Sequence, residues 1–155
     1  MPTRTPAPTD TPLLTPYLTV RDAARAMAFY TRVFGAREDF RLSEPGGKVG
    51  HAELLIGASR LMLSDESPDF GAFSPPAVGG TPVTLHLYVA DVDATVALAE
   101  AEGATVLRAP KDEFYGDRAA QIADPFGHRW MIATRGAPVS PEEMQRRWSA
   151  MLSGG

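Results

Sequence analysis

The sequence predicts an α+β protein made of one strand–helix–three-strand unit written twice. Two segments show the duplication. Leu18-Thr19-Val20-Arg21-Asp22 leads through a helical pattern to Gly35-Ala36, and Leu87-Tyr88-Val89-Ala90-Asp91 leads through another to Gly103-Ala104. Each then runs into strand-like segments whose last hairpin carries a glycine, Gly57 or Gly127. The copies lie about 70 residues apart, too long a period for a solenoid and suited to a duplicated half-domain. Two halves that each bury one apolar sheet face can enclose a cavity, and function is expected there.

Leu13 to Val20 reads as a strand, with Thr15, Tyr17 and Thr19 alternating against Leu14, Leu18 and Val20. Asp22 is a good N-cap for a helix to Phe34. Ala26, Phe29, Tyr30 and Val33 recur on one face, and Gly35 supplies the stop. Glu38 to Ser43 is a polar strand ending at Pro45-Gly46-Gly47. His51 to Ile56 is a strand that Gly57-Ala58 turns into Arg60 to Asp65. The second copy repeats the order: strand Val83 to Val89, helix from about Asp91 to Glu102, then strands Ala104 to Ala109, Arg118 to Ala123 and His128 to Thr134. Between the copies, Ser67 to Pro82 is rich in Pro and Gly and carries Phe70 and Phe73. It reads either as a loop packed over a cavity or partner, or as a linker with two satellite core contacts. A last helix opens at Ser140-Pro141-Glu142-Glu143, a capping box with Pro at N1, and bears a Met144, Trp148, Met151 stripe suited to docking.

The 155 residues, 44% of them hydrophobic, suffice for one well-cored domain and not for two. A net charge of -4 with no basic stripe argues against nucleic acid as a partner. The absence of cysteine excludes disulfides, thiolate metal sites and a cysteine nucleophile, and fits a cytoplasmic location. No apolar run approaches the ~20 residues of a membrane span. Residues 1–12 alternate Pro, Thr and Ala without an apolar core, so a disordered tail is expected there rather than a signal peptide.

Strand alternation sorts the side chains. Leu18, Val20, Ala52, Leu54 and Ile56 should meet the first helix, leaving Thr15, Tyr17, Thr19, His51, Glu53 and Leu55 on the concave side. In the second copy Leu85, Leu87, Val89, Trp130 and Ile132 should meet the helix, and Thr84, His86, Tyr88, Arg129 and Met131 face inward. With Ile122 toward the helix, Gln121 also turns inward. His51 and Glu53, two apart on a strand, point the same way, an arrangement suited to acid–base work or to a polar ligand. The alternative is a solvated pair at a sheet edge. His86 and Tyr88 form a similar pair or fill a narrow core. Arg118, after the Gly116-Asp117 turn, could clamp an anion with its fork of donors or pair with Asp117, Glu113 or Asp124. His128 serves the hairpin turn.

Three groups of residues carry a family resemblance: Thr15-Pro16-Tyr17-Leu18-Thr19-Val20 with Phe29-Tyr30 and Phe34-Gly35-Ala36; His51-Ala52-Glu53-Leu54 with Leu63-Ser64-Asp65-Glu66; and Phe114-Tyr115-Gly116-Asp117-Arg118 followed by Asp124-Pro125-Phe126-Gly127-His128-Arg129-Trp130. Together with the element order they resemble the vicinal-oxygen-chelate superfamily of glyoxalase I, bleomycin-resistance proteins and extradiol dioxygenases, and most closely its PhnB-like branch. The resemblance implies tandem βαβββ modules, 13–66 and 83–135, joined by a linker over 67–82, forming a curved mixed sheet around a concave groove, with a C-terminal helix and tail over 136–155. It also implies a homodimer, often formed by pairing or exchanging modules.

Metal-dependent members of the family draw one ligand from each of four strands. By strand alignment those positions fall here on Thr15, on Leu61 or Leu63, on Thr84 and on Met131, a set that does not suit a divalent ion. No cofactor is therefore expected, the alternative being a relocated divalent metal on Asp65 and His86 or on His51 and Glu53. Two functions follow. One is a metal-independent protein that sequesters a small organic molecule, as resistance-type relatives do. The other is an isomerase, lyase or epimerase using His51, Glu53 and His86 as acid–base groups or as a relocated metal site. The ligand-binding set is Tyr17, His51, Glu53, Thr84, His86, Tyr88, Arg118 and Gln121.

Overall fold

The structure, a computed structural model, describes residues 12–154. The tail expected over 1–12 thus lies, except for Pro12, outside the described residues. The chain divides into two compact units that meet at Gly79–Gly80.

In the first unit, β1 (Tyr17–Val20), α1 (Ala23–Phe34), β2 (Arg37–Ser43), β3 (Val49–Ile56) and β4 (Ser59–Asp65) follow in order. The strands form one mixed sheet in the order β1-β4-β3-β2, with β1 parallel to β4 and the other pairs antiparallel. α1 forms because its apolar residues fall on one face. Ala23, Ala26, Met27, Phe29, Tyr30, Val33 and Phe34 are all buried, and Tyr30 stacks on Phe34 at 5.9 Å. Each large side chain so buried contributes about 1.5–3 kcal/mol. Asp22 caps the helix by accepting from the Arg25 N–H, and Gly35 ends it with φ 69°, a backbone state that Cβ-bearing residues avoid. The sheet face under α1 carries the expected Leu18, Val20, Ala52 and Leu54, together with Leu61 and Leu63, all buried.

The second unit repeats the plan with β5 (Thr84–Tyr88), α3 (Val92–Ala101), β6 (Thr105–Asp112), β7 (Arg118–Ala123) and β8 (Arg129–Thr134), in the sheet order β5-β8-β7-β6. Val92, Val96 and Ala99 of α3 pack with Ala120, Ile122, Trp130 and Ile132 in its core. The two copies solve one shared problem in two ways. The first N–H of a helix has no partner within the helix. In α1 that of Ala23 is met by Asp65 Oδ1 at 2.8 Å, and in α3 that of Val92 is met by Thr134 Oγ1 at 2.8 Å. Each acceptor ends the last strand of its own unit.

Three elements differ from expectation. β1 begins at Tyr17 rather than Leu13, and of the residues before it the Pro16 carbonyl accepts from the Met62 N–H of β4 at 3.0 Å. β6 extends to Asp112 because two register shifts, between Val106 and Arg108 and between Arg108 and Lys111, let it follow β7 further. The supposed linker is structured, with a 3-10 turn at Pro68–Phe70 and a short α2 at Pro75–Val78. The last helix, α4 (Pro141–Ser153), lies against the β6–β7 turn. Arg147 Nη1 donates to the Phe114 carbonyl at 2.8 Å, and the Trp148 and Phe114 rings are 5.4 Å apart. Leading into it, the backbones of Gly116 and Gly136 approach so closely that a Cβ on either would strike the other segment.

Candidate functional site

With α1 covering one face of the first sheet, alternation leaves the other face to Tyr17 and Thr19 of β1, Arg60, Met62 and Ser64 of β4, and His51, Glu53 and Leu55 of β3. The register makes neighbours of them, since Met62 lies beside both Tyr17 and Glu53. A hydrogen-bonded chain runs across this face. The Tyr17 hydroxyl lies 2.7 Å from His51 Nδ1, and His51 Nε2 lies 2.7 Å from Glu53 Oε2. Arg60 Nη1 donates to Glu53 Oε1 at 2.8 Å and to Asp39 Oδ2 at 2.9 Å. The Phe40 ring flanks His51 at 5.7 Å.

This chain fixes the imidazole. A carboxylate only accepts, so Nε2 carries a proton and donates to Glu53, and in the neutral imidazole Nδ1 is then the acceptor of the Tyr17 hydroxyl. Both ring nitrogens are thereby engaged, and the group presented to a ligand is the Tyr17 phenol, 52% exposed. Arg60 closes the far end, its guanidinium held above its ordinary value by hydrogen bonds first to Asp39 and then to Glu53, against some desolvation. Two clefts open beside the chain. One, of about 530 Å³, includes Tyr17, Lys48, Ser64 and Phe70 in its lining. The other, of about 580 Å³, includes Asp39, Phe40, Glu53, Arg60 and Met62.

Of the predicted residues, the first unit thus joins Tyr17, His51 and Glu53. Arg60 and Asp39 were missed, although the signal for Arg60 was present. A two-residue turn at Gly57-Ala58 pairs Ile56 with Ser59 and therefore Leu55 with Arg60, one step diagonally from Glu53. The same register corrects the metal alignment. Leu61 and Leu63 pair with Leu54 and Ala52 on the buried face, so Met62 and Ser64 take the open positions. Asp65 falls with the leucines, and both its oxygens are used, accepting from Ala23 and Val49 N–H at 2.8 Å each.

In the second unit His86 and Tyr88 lie edge to face at 4.7 Å on the exposed side of β5, which Thr84 begins. The Tyr88 hydroxyl donates to the buried Asp117 Oδ2 at 2.8 Å, and the Arg135 guanidinium sits over the Tyr88 ring at 4.8 Å. Gln121 lies opposite Met131 and lines a small recess with Arg108 and Lys111. Nearby, burial and then the Glu113 charge raise the Tyr115 phenol above its ordinary value.

Arg118 is a correction. Three residues from Gln121 along β7, it falls on the opposite face, where its Nε and Nη2 hold Asp93 of α3 at 2.7 and 3.0 Å and its Nη1 holds Asp112 at 3.2 Å. Its ion-pair partners are not those expected, because Asp117 serves Tyr88 and Asp124 accepts from Phe126 N, His128 N and Trp130 Nε1.

The inherited metal positions do not fit a divalent ion. Their side chains are hydroxyl, aliphatic or thioether, and among the described residues no group of three His, Asp or Glu is placed to hold a metal. Of the relocated pairs, Asp65 is committed to backbone donors, and Glu53 has one oxygen on His51 and the other on Arg60.

Residues 13–132 match the family model of the glyoxalase/bleomycin resistance protein/dioxygenase superfamily. The chain belongs to this superfamily. It is 44% identical over 147 residues to the uncharacterized protein Mb0911c of Mycobacterium bovis, covering 93% of this chain and 95% of that one. The crystal structure of TioX from Micromonospora sp. ML1 superposes with a TM-score of 0.63 at 27% identity, over 80% of this chain and 98% of TioX. A Bacillus cereus protein described as putative 3-demethylubiquinone-9 3-methyltransferase, PhnB protein, superposes at 0.61 with 20% identity, over 79% and 99% of the two chains, a likeness of fold alone. Within the superfamily fold, this chain sets a Tyr–His–Glu–Arg chain across one sheet and a Tyr–Asp contact on the other.

Proposed function

We propose that this chain is a metal-independent small-molecule-binding member of the superfamily, and that the open face of its first sheet is the recognition surface. One observation carries the reading: Tyr17, exposed at the edge of a cleft, is held in place by His51, Glu53 and Arg60. A hydrogen-bonding phenol whose orientation is fixed in advance loses little freedom when it meets a ligand. The donor set supports the metal-independent part, since the family positions lack suitable ligands and Glu53 is already occupied. The closer assignment to the PhnB-like branch rests on the Phe114–Arg118 and Asp124–Trp130 segments. With it come a homodimer and a cytoplasmic location; sedimentation as a monomer at micromolar concentration would refute the dimer.

Screening a metabolite library for thermal stabilisation, followed by titration of the hits, tests the proposal. Affinity is expected to fall about tenfold, the loss of one well-made hydrogen bond, in Tyr17→Phe. Hits that bind Tyr17→Phe and His51→Ala as tightly as the parent protein would refute it. Near-stoichiometric Ni, Zn, Fe or Mn in protein purified without chelator, lost on His51→Ala or His86→Ala, would refute metal independence.

The same chain supports a second reading, an isomerase, lyase or epimerase on a small metabolite. Here Tyr17, rather than His51, exchanges the proton with the substrate, and His51 with Glu53 takes it up behind the phenol. Turnover of a bound metabolite that Tyr17→Phe abolishes while binding persists would select this reading.

A further inference from the structure

We infer that the ligand of the Tyr17 cleft is a small zwitterion with an aromatic group, of which an aromatic α-amino acid is the simplest. This rests on the reading of the first unit as a small-molecule-binding surface and names the ligand class. Three features of the cleft carry it.

The first is Ser64. It is only 7% exposed and lines the cleft beside Tyr17, and since no polar side-chain atom among the described residues is both buried and unpartnered, its hydroxyl either has a partner or reaches the cleft. A hydroxyl on the wall of a cleft can both donate to and accept from a ligand. The second is charge. Three charged side chains line the cleft: Glu44, Lys48 and Asp65. Asp65 is spent on the Ala23 and Val49 amides, whereas Glu44 and Lys48 have no ion-pair partner among the described residues. They flank the β2–β3 turn, whose ends are joined by the Glu44 N–H bonding the Lys48 carbonyl at 2.8 Å. One unpaired anion and one unpaired cation complement a ligand that bears both signs.

The third is Phe70. It is 90% exposed, yet its loop is tightly tied. Ser67 and Ala72 exchange both backbone hydrogen bonds, the Gly71 N–H bonds the Pro68 carbonyl, and Glu66 accepts from the Ser74 N–H at 3.1 Å and from its hydroxyl. An apolar ring carried on a tied loop, lining the same polar cleft as the Tyr17 ring, provides a stacking surface for an aromatic ligand.

The test is a titration of the ¹⁵N-labelled full chain with three probes: L-phenylalanine, phenethylamine and 3-phenylpropionate. L-Phenylalanine should shift the Gly50, Ser64 and Gly71 amides saturably, with a Kd at least fivefold below that of either singly charged probe. Glu44→Gln, Lys48→Met and Phe70→Ala, exposed changes that keep the amide spectrum dispersed, should each weaken it at least threefold. Equal binding of a singly charged probe, insensitivity to Glu44→Gln and Lys48→Met, or no shift with any probe overturns the inference. The library screen against Tyr17→Phe would still decide separately whether the cleft binds another class.

Discussion

Asp65 and Thr134 hold corresponding places in the two copies, so one pair of substitutions can measure what the duplication changed. Asp65→Ala removes two charge-assisted hydrogen bonds, from the first N–H of α1 and from Val49 at the start of β3. At about 1.5–3 kcal/mol each, and toward the lower figure for a half-buried carboxylate, the loss is about 3 kcal/mol. Thr134→Val keeps the shape and removes one neutral bond to Val92, costing about 1 kcal/mol. Asp65→Asn, which can accept but must also turn an amide donor toward one N–H, should fall between them. Urea denaturation followed by far-UV circular dichroism gives the free energies. Both tryptophans, Trp130 and Trp148, lie in the second unit, so fluorescence should register Thr134→Val directly. If Thr134→Val costs as much as Asp65→Ala, or Asp65→Ala stays within about 0.5 kcal/mol of the parent, the assigned roles are wrong.

Two further outcomes follow from other contacts. The Ser74 hydroxyl is the main cause holding the Glu66 carboxyl below its ordinary value of 4.5. That stabilisation is complete above the unfolded value and is lost as pH falls through the lower folded one, so the stability gap between the parent and Ser74→Ala should narrow on acidification from pH 7 to below 4.5. A gap that widens there would contradict the linkage. Asp124→Ala leaves the Phe126 and His128 amides and the Trp130 indole without their acceptor, and should cost about 3 kcal/mol by urea unfolding; a loss under about 1 kcal/mol would mean that water replaces the carboxylate.

The fold was readable because its determinants are local. The Asp22 and Asp91 caps, the Gly35 stop and the alternation of His51 to Leu55 in β3 each announce themselves within a few residues. The pairing of His51 with Glu53 was readable for the same reason, since residues two apart on a strand share a face. What escaped was partner choice across strands. Arg118 had three expected partners on the turns around it, Glu113, Asp117 and Asp124, and took Asp93, which α3 delivers from 25 residues away, together with Asp112. Leu61 and Leu63 lie on the buried face because the Gly57-Ala58 hairpin, and not the family's ligand pattern, sets the register of their strand. The Pro- and Gly-rich connection hid its order because what organises it is a set of backbone bonds such as the Ser67–Ala72 pair, together with the Glu66–Ser74 contact, none of which a composition reveals.

The asymmetry of the copies decides where chemistry can reside. A relay across a sheet needs consecutive links at set registers, and one missing link ends it. In the first unit Tyr17 and Glu53 both flank Met62; in the second, His86 and Gln121 both flank Met131. The residue two before Glu53 is His51, whereas two before Gln121 stands Ala119, which has nothing to donate or accept. A proton or a hydrogen-bond orientation can therefore pass from strand to strand in the first sheet, and in the second it stops. Tyr88 does have a partner, but Asp117 is also tied to the Gly136 N–H at 3.2 Å, so that contact anchors the approach to α4. Supplying the missing link tests this directly. Ala119 is only 3% exposed between Lys111 and Ala133, so the double change Ala119→His with Gln121→Glu is read only in protein whose far-UV circular dichroism matches the parent. There a new imidazole should lie next to a carboxylate on the second sheet, and ¹⁵N chemical shifts of that ring should report one protonated nitrogen facing Glu. If the new imidazole exchanges between tautomers like a free side chain, adjacency in the sheet is not enough, and Arg60 and Asp39 are needed to hold the relay.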